Sequence, residues 1–364
     1  MEYAQEFERV SIIGNESGSR IWKKIVPFNE INSEHKTIVL GLYEQSDEFL
    51  LKFRLAFYNL FAPNYFETIA DAGNLKVNFE KDQAKISYIS SDLISKGFCP
   101  IILSPKHFTT YYLYEAFRQL EKPCSLCVVD SSFDFDTENR ALDNENHLQK
   151  ILLESPSYLR AIYHIGHQQY FVDPEHEALM DKLNYEMRRL GELKASIKEM
   201  EPDIRSSQFL SLDLNSLSYE AAQMNVDMPN GLSGAEACTL MKYGGAAPDM
   251  NCLCLSGFDE SHTQNTLSML LSQMLWYYAE GRSKRKEENP EIDETGFIKY
   301  YTSIEKGSQE IVFFKSTNSN LWWMELINPE GKRSMLPCSY EDYKLASNGL
   351  MPDRWWNAYQ RSNY

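Results

Sequence analysis

Short apolar runs alternating with amphipathic stretches constrain the fold of this chain more than any other feature of its sequence. Lys36–Leu42 is an apolar run with a glycine near its end, and Phe49–Phe61 then places apolar residues at helical spacing. The pattern recurs: Pro100–Leu103 leads into Thr109–Leu120, and Leu126–Asp130 opens a long polar loop. Arg160–Ile165 and Phe209–Leu214 are further runs, and Met250–Ser256 precedes the strongly apolar stretch Thr266–Glu280. Strands that are apolar on both faces and alternate with helices imply a mainly parallel sheet covered on both sides. The predicted fold class is therefore α/β, a three-layer α/β/α sandwich.

Two helices carry explicit signals. Pro174–Met200 places Leu179, Leu183, Met187 and Leu190 on one stripe and reads as a single long helix. Ser233-Gly234-Ala235-Glu236 is a capping box, the serine accepting from the third helical N–H while the glutamate reaches back. Gly244-Gly245 is the predicted stop of that helix.

The character changes after residue 281. Residues 282–294 carry nine charges in thirteen positions, basic first and acidic after, which reads as a solvated linker. Beyond it, EIVFFKS and LWWMELI read as two strands joined by the polar turn Thr317–Asn320. Four of the six tryptophans, Trp322, Trp323, Trp355 and Trp356, lie in this last part. The expected organisation is an α/β domain over 1–281, a charged linker over 282–295 and an aromatic-rich C-terminal extension over 296–364. The extension either packs on the main body or offers a protein partner an aromatic surface.

Charge and cysteine content narrow the function. Lys and Arg number 36 against 52 Asp and Glu, a net −16, which disfavours a nucleic-acid partner. No stretch approaches 18 uninterrupted apolar residues, so no membrane span is expected. The opening MEYAQEFERV lacks the basic and apolar regions of a signal peptide, and the expectation is a cytoplasmic protein. Seven cysteines, an odd number, fit reduced thiols better than a disulfide framework. Cys124-x-x-Cys127 and Cys252-x-Cys254 sit in apolar runs and are expected in the core.

In parallel α/β sheets functional groups collect at the carboxyl ends of the strands. Here those ends carry His107, Asp130 and Asp134, Asp213, and Asp259. A carboxylate closing an apolar strand, as Asp213 does, needs a cation or hydrogen-bond donors if it is buried. Three or four acids converging with an imidazole suit a divalent ion such as manganese or magnesium, and the imidazole favours manganese. Without an ion, like charge would raise the pKa of at least one carboxylate, leaving Lys106 or His107 to offset the cost. Taken singly, the aspartates also serve as turn residues or helix caps.

On these residues the chain resembles the ureohydrolase family of arginase, agmatinase and formimidoylglutamase. Ser211-Leu212-Asp213-Leu214-Asn215, followed by Met228-Pro229-Asn230-Gly231-Leu232-Ser233, is similar to the family's Ser-Phe-Asp-x-Asp strand and its Gly-Gly-Leu-Ser helix start. VVDSSFD ending at Asp134 is similar to its Asp-x-His-x-Asp motif, PIILSPKH to the strand before its metal histidine, and CLSGFDESH and IADAGNLK to further segments. The resemblance spans roughly residues 36–281 and implies an arginase-like fold. It also implies a manganese site held by His107, Asp130, Asp134 and Asp213, a guanidino or formimino small-molecule substrate, and a homo-oligomer. The family places two manganese ions that activate water for attack on a C–N carbon.

The resemblance also shows losses. Ser132 stands where the family has a histidine, and Asn215 where it has its last aspartate, so one ion is expected rather than two. The family's substrate-gripping glutamate falls near His262, which with Asp213 makes the expected catalytic pair. Ser104-Pro105 replaces a glycine pair before His107, and YEQSDE replaces a glycine-rich substrate loop. His164 and His167 are expected to pack or hydrogen-bond rather than react. His147 lies in a polar loop where the family sometimes keeps a histidine, and no role is assigned to it. Two readings follow. In the first, a degenerate dimetal site leaves weak or absent amidinohydrolase activity and the protein is a pseudoenzyme with a binding or scaffolding role. In the second, it is an active, formimidoylglutamase-like manganese hydrolase of C–N bonds in linear amidines.

Overall fold

The computed structural model describes residues 2–10, 14, 17–32, 35–136, 141–261, 265–304 and 309–362. In chain order the elements are β1 Ile25–Pro27, β2 Thr37–Tyr43, α1 Glu48–Tyr58, β3 Ile69–Lys76, α2 Gln83–Ser95, β4 Cys99–Ser104, α3 Thr109–Gln119 and β5 Cys124–Val129. Next come α4 His147–Leu153, β6 Leu159–His167, α5 Pro174–Lys182, β7 Glu186–Arg189, α6 Leu190–Ala195, α7 Glu201–Arg205 and β8 Phe209–Asp213. The main body closes with α8 Tyr219–Ala222, α9 Gly234–Ala246, β9 Cys252–Ser256 and α10 Asn265–Ser283. The C-terminal part holds β10 Phe297–Ile304, β11 Gln309–Ser316, β12 Trp322–Ile327, β13 Arg333–Cys338, α11 Tyr340–Ser347 and α12 Asp353–Arg361.

β1 to β9 form one sheet in the order β1-β3-β2-β4-β9-β8-β5-β6-β7, with every paired neighbour parallel. Successive strand residues feed opposite faces, as the two-residue period of a strand requires. Val39, Ile101, Leu103, Leu210, Leu212 and Leu253 pack under α1, α9 and α10. Ile38, Leu40, Ile102, Leu126, Val128 and Phe209 pack under α2, α3 and α4. Each such fully buried side chain contributes about 1.5–3 kcal/mol of transfer free energy, so the apolar runs drive this double coverage. All seven cysteines are free and buried, as expected of core residues. Among the described residues no helix is long and apolar enough to cross a membrane.

Two expectations are corrected. Pro174–Met200 is not one helix. Its first part is α5, Asn184 turns the chain with φ +55°, and Glu186–Arg189 pairs with β6 as the edge strand β7. The strand is charged and short, so its helical stripe of apolar residues misled the periodicity. Gly244-Gly245 does not stop α9, which runs to Ala246. The glycines instead let two helices touch: a Cβ on Gly245 would lie 2.1 Å from the Tyr278 carbonyl oxygen of α10, and one on Gly281 2.2 Å from that of Lys242. The capping box at Ser233 and Glu236 is present as read.

β10 to β13 form a second, antiparallel sheet, including the two strands and the turn expected from the sequence. α11 and α12 cover its core of Ile304, Ile311, Phe313, Met324, Leu326 and Trp355. Buried charges join this part to the main body. Arg354 of α12 pairs with Asp203 of α7 at 2.9 Å and with Asp342 of α11. Asp203 also pairs with Arg188 of β7 at 3.0 Å. Arg205 donates to the carbonyl oxygens of Trp322 and Cys338 and lies 4.3 Å over the Trp323 ring. Nor is the charged segment wholly solvated, since Arg285 donates to the Gly245 and Pro248 carbonyls and Glu288 accepts from Ser316.

Candidate functional site

The last two strands of the nine-stranded sheet in chain order, β8 and β9, insert between β4 and β5, so the ends of these four strands lie side by side. Their carboxyl ends carry the chemistry. His107 follows β4, Asp130 follows β5, Asp213 ends β8 and Ser256 ends β9. His107, Asp130 and Asp213 are all buried. Asp213 and Ser256 stand opposite each other in register.

His107 is the centre. Its Nδ1 is 2.8 Å from Ser256 Oγ, and its Nε2 is 3.3 Å from Asp130 Oδ2 and 3.6 Å from Asp134 Oδ2. That Nε2 is buried and has no properly angled hydrogen bond among the described residues. Donor atoms of His107, Asp130 and Asp213 lie within 4.8 Å of one another, and so do those of His107, Asp134 and His147. Pro105 does not displace the histidine, because Ser104 Oγ bonds Thr109 Oγ1 at 2.7 Å and receives the Lys106 N–H at 3.2 Å, tying down the turn.

The loop after β5 is also fixed. Asp130 N–H donates to the Ile165 carbonyl and Gln168 N–H to that of Ser131. Asp130 Oδ1 accepts from Ser131 N–H at 2.5 Å. Asp134 adopts φ +50°, a left-handed conformation that aspartate tolerates better than most residues. On β6 the pairing with β7 shifts register between Ile165 and His167, where Gly166 has φ +98°. The irregularity lets His164 and His167 both pack on Phe133, with ring centroids 4.7 Å and 4.9 Å away. These two histidines therefore pack, as expected.

The electrostatics follow from burial. Burial pushes every carboxyl up and every imidazole down, and neighbours decide the net direction. For Asp130 burial is outweighed by the close approach and positive charge of His107, which hold it below the usual carboxylate range. Asp134 is pushed well up by burial and then by the charge of Asp130. Asp213 rises to about 6, burial again leading, with His107 opposing. His107 is lowered by burial but raised on balance by Asp213 and Asp130. Burial, then the charge of His107, takes His147 well below its ordinary value, and burial holds His164 at about 3 and His167 at about 4. The carboxylate repulsion foreseen from the sequence is present, but desolvation contributes more. His107 supplies the offset, and Lys106 forms no ion pair with these acids among the described residues.

The two substituted positions are hydrogen-bonded inward. Asn215 Nδ2 donates to Asp213 Oδ1 at 3.0 Å and to the Gly257 carbonyl at 3.1 Å, and its backbone N–H donates to the same Asp213 oxygen. Ser132 Oγ donates to Asp134 Oδ1 at 2.9 Å. Neutral donors thus occupy lone pairs of Asp213 and Asp134. The residues fit a divalent ion, with a buried imidazole nitrogen lacking a hydrogen bond among the described residues and carboxylates on both sides of it.

The structure brings His107, Asp130, Asp134 and Asp213 together. Asp259 is exposed, turning back to accept from Ser261, and His262 lies outside the described residues. His147, expected to play no part, is fully buried as the first residue of α4, its Nδ1 3.4 Å from Asp134 Oδ2. Its polar surroundings in sequence hide the burial, although the histidine that the resembling family sometimes keeps at this position was an available signal. Ser256 was also missed, though its place at the end of an apolar run was the available signal.

Comparison with solved structures places this arrangement. Formimidoylglutamase from Bacillus subtilis subsp. subtilis str. 168 superposes with a TM-score of 0.65 at 17% identity, covering 78% of this chain and 98% of that one. A formiminoglutamase from Trypanosoma cruzi with manganese gives 0.66 at 15% identity, covering 74% and 100%. The agmatine ureohydrolase of Thermoplasma volcanium gives 0.55 at 21% identity, covering 74% and 95%. The main body therefore has the arginase-like α/β fold of these ureohydrolases. No protein-family model and no curated relative matches the sequence.

Proposed function

We propose that this chain is a ureohydrolase-fold protein with a degenerate dimetal site, holding one divalent ion and binding a small guanidino or formimino compound with weak or absent hydrolysis. The observation that carries the reading is the Asn215 amide turned onto Asp213 Oδ1 at 3.0 Å. Where a two-ion site needs a second anionic oxygen, this chain offers an N–H donor already engaged. His107, Asp130, Asp134 and Asp213 would hold the single ion, manganese being the ion of a structural relative. A bound divalent ion would supply Lewis acidity. The protein's own part is to fix His107 through Ser256, hold the Asp130 carboxylate charged and shut the cluster away from solvent.

The opposite reading, an active manganese-dependent amidinohydrolase, draws support from the same convergence of His107, Asp130 and Asp213, since one ion alone can still polarise a substrate. Metal analysis of purified protein after manganese incubation, combined with a panel of guanidino and formimino compounds assayed for urea or formamide release, separates them. The degenerate-site reading expects about one ion per chain and little or no turnover. Two ions per chain with rapid turnover would overturn it, and a metal-free protein would remove both readings.

A further inference from the structure

The ion-binding cluster contains a second three-donor set that overlaps the first. His107, Asp134 and His147 place donor atoms within 4.8 Å of one another, the same spread as His107, Asp130 and Asp213. His147 has no solvent exposure, and its ring meets His107 edge-on with centroids 4.4 Å apart. Its Nδ1 is 3.4 Å from Asp134 Oδ2, and its Nε2 makes no hydrogen bond among the described residues. The ring is held from behind. The buried Asn146 side chain receives the Asp143 N–H at 3.0 Å and donates to the Ala141 carbonyl at 2.7 Å, which closes the turn into α4. His147 Nδ1 also lies 3.3 Å from the Asn144 carbonyl oxygen, so Nε2 is the ring nitrogen left without a partner among the described residues, and a buried polar atom in that state is costly.

We infer that His147 is a metal ligand in this chain, and that His107, His147 and Asp134 form a two-imidazole, one-carboxylate seat that prefers zinc to manganese. The inference rests on the single-ion reading above but moves that ion to the Asp134 side, with His147 as a ligand in place of Asp130 and Asp213. The Asn215 amide already occupies Asp213 Oδ1, whereas His147 offers a neutral nitrogen on the Asp134 side. Nitrogen donors favour later first-row ions, and zinc stands above manganese in the general affinity order. A seat with two imidazoles and one carboxylate widens that gap, while a site of one imidazole and three carboxylates suits manganese.

Copper loading of the wild-type protein, with the coordinating imidazoles counted by pulsed EPR, tests this without any variant. Two imidazole nitrogens are expected, falling to one in His147→Asn. Competition calorimetry with zinc and manganese on the same two proteins should show zinc affinity falling by about a hundredfold in His147→Asn and manganese affinity by less than about tenfold, the scale expected for a lost nitrogen ligand. One imidazole in the wild type, or a zinc-to-manganese ratio unchanged in the variant, overturns the inference and leaves the single-ion reading standing. Failure of the wild type to take up zinc, manganese or copper overturns both.

Discussion

The molecule buries charge in several places, and two of these clusters are balanced differently. Where the C-terminal part meets the main body, Asp203, Asp342 and Glu186 face Arg354, Arg188 and Arg361, three acids against three arginines. At the carboxyl ends of the central strands, Asp130, Asp134 and Asp213 face the single imidazolium that His107 can form. In the first cluster the arginines hold Asp203 below the usual carboxylate range despite complete burial. In the second, Asp134 and Asp213 are pushed up. The junction matches its acids with arginines, whereas the site cluster has more carboxylates than cationic partners among the described residues.

The contrast is broken most forcefully at Asp203. Replacing it with alanine strands Arg188 and Arg354 in the interior and should cost about 3–5 kcal/mol, the range for removing one partner of a buried pair. Urea denaturation would read the loss, and a cost under 1 kcal/mol would mean that the two clusters do not differ as described. The site cluster should respond with the opposite sign. Asp213 has a folded pKa of about 6, above its unfolded value near 4, so the fold prefers its protonated form. Its contribution is present at low pH and is lost as pH rises through 6. Metal-free Asp213→Asn should therefore be more stable than wild type at pH 8, on the order of 2 kcal/mol, with the difference closing by pH 4. Thermal melts across that range check it, and a difference that grows toward acid would contradict the assignment.

Two smaller changes sharpen the contrast. Asn215→Asp replaces the inward N–H donor with an anionic oxygen, and manganese affinity should rise by about tenfold or more, roughly 1.4 kcal/mol. Calorimetry reads this directly, and unchanged affinity would mean that position 215 does not face the ion. Ser339→Ala removes the cap of α11, whose Oγ receives the Asp342 N–H at 3.2 Å, and should cost about 1 kcal/mol. Asp342 keeps Arg354, so the junction should stay closed to protease while the melting temperature falls by a few degrees.

Much of the main body was legible from residue patterns. The runs at 36–42, 100–103, 126–130, 209–214 and 250–256 are central strands, and buried strands of a parallel sheet are nearly uniform in apolar character. The strands that escaped notice are the edge strands β1 and β7 and the mixed strand β3, IADAGNLK. β7 is written Glu-Met-Arg-Arg because its polar partners are Asp203, Asn357 and Arg361. Likewise Arg54 of α1 is fully buried against Asp71 and Asn74 of β3, so a charged residue does the work of a core residue there. Pairings that depend on a distant counter-charge leave no local periodicity to read.

The sequence by itself determined which segments are buried strands and that acids and His107 stand at their carboxyl ends. Those are properties of residue type and spacing, which local physical chemistry can interpret. Only the tertiary structure decided that β8 and β9 insert between β4 and β5, that the Asn215 amide turns onto Asp213, and that His147 reaches Asp134. Each of these depends on the packing of segments far apart in the chain, and burial and hydrogen-bond direction exist only once that packing has formed.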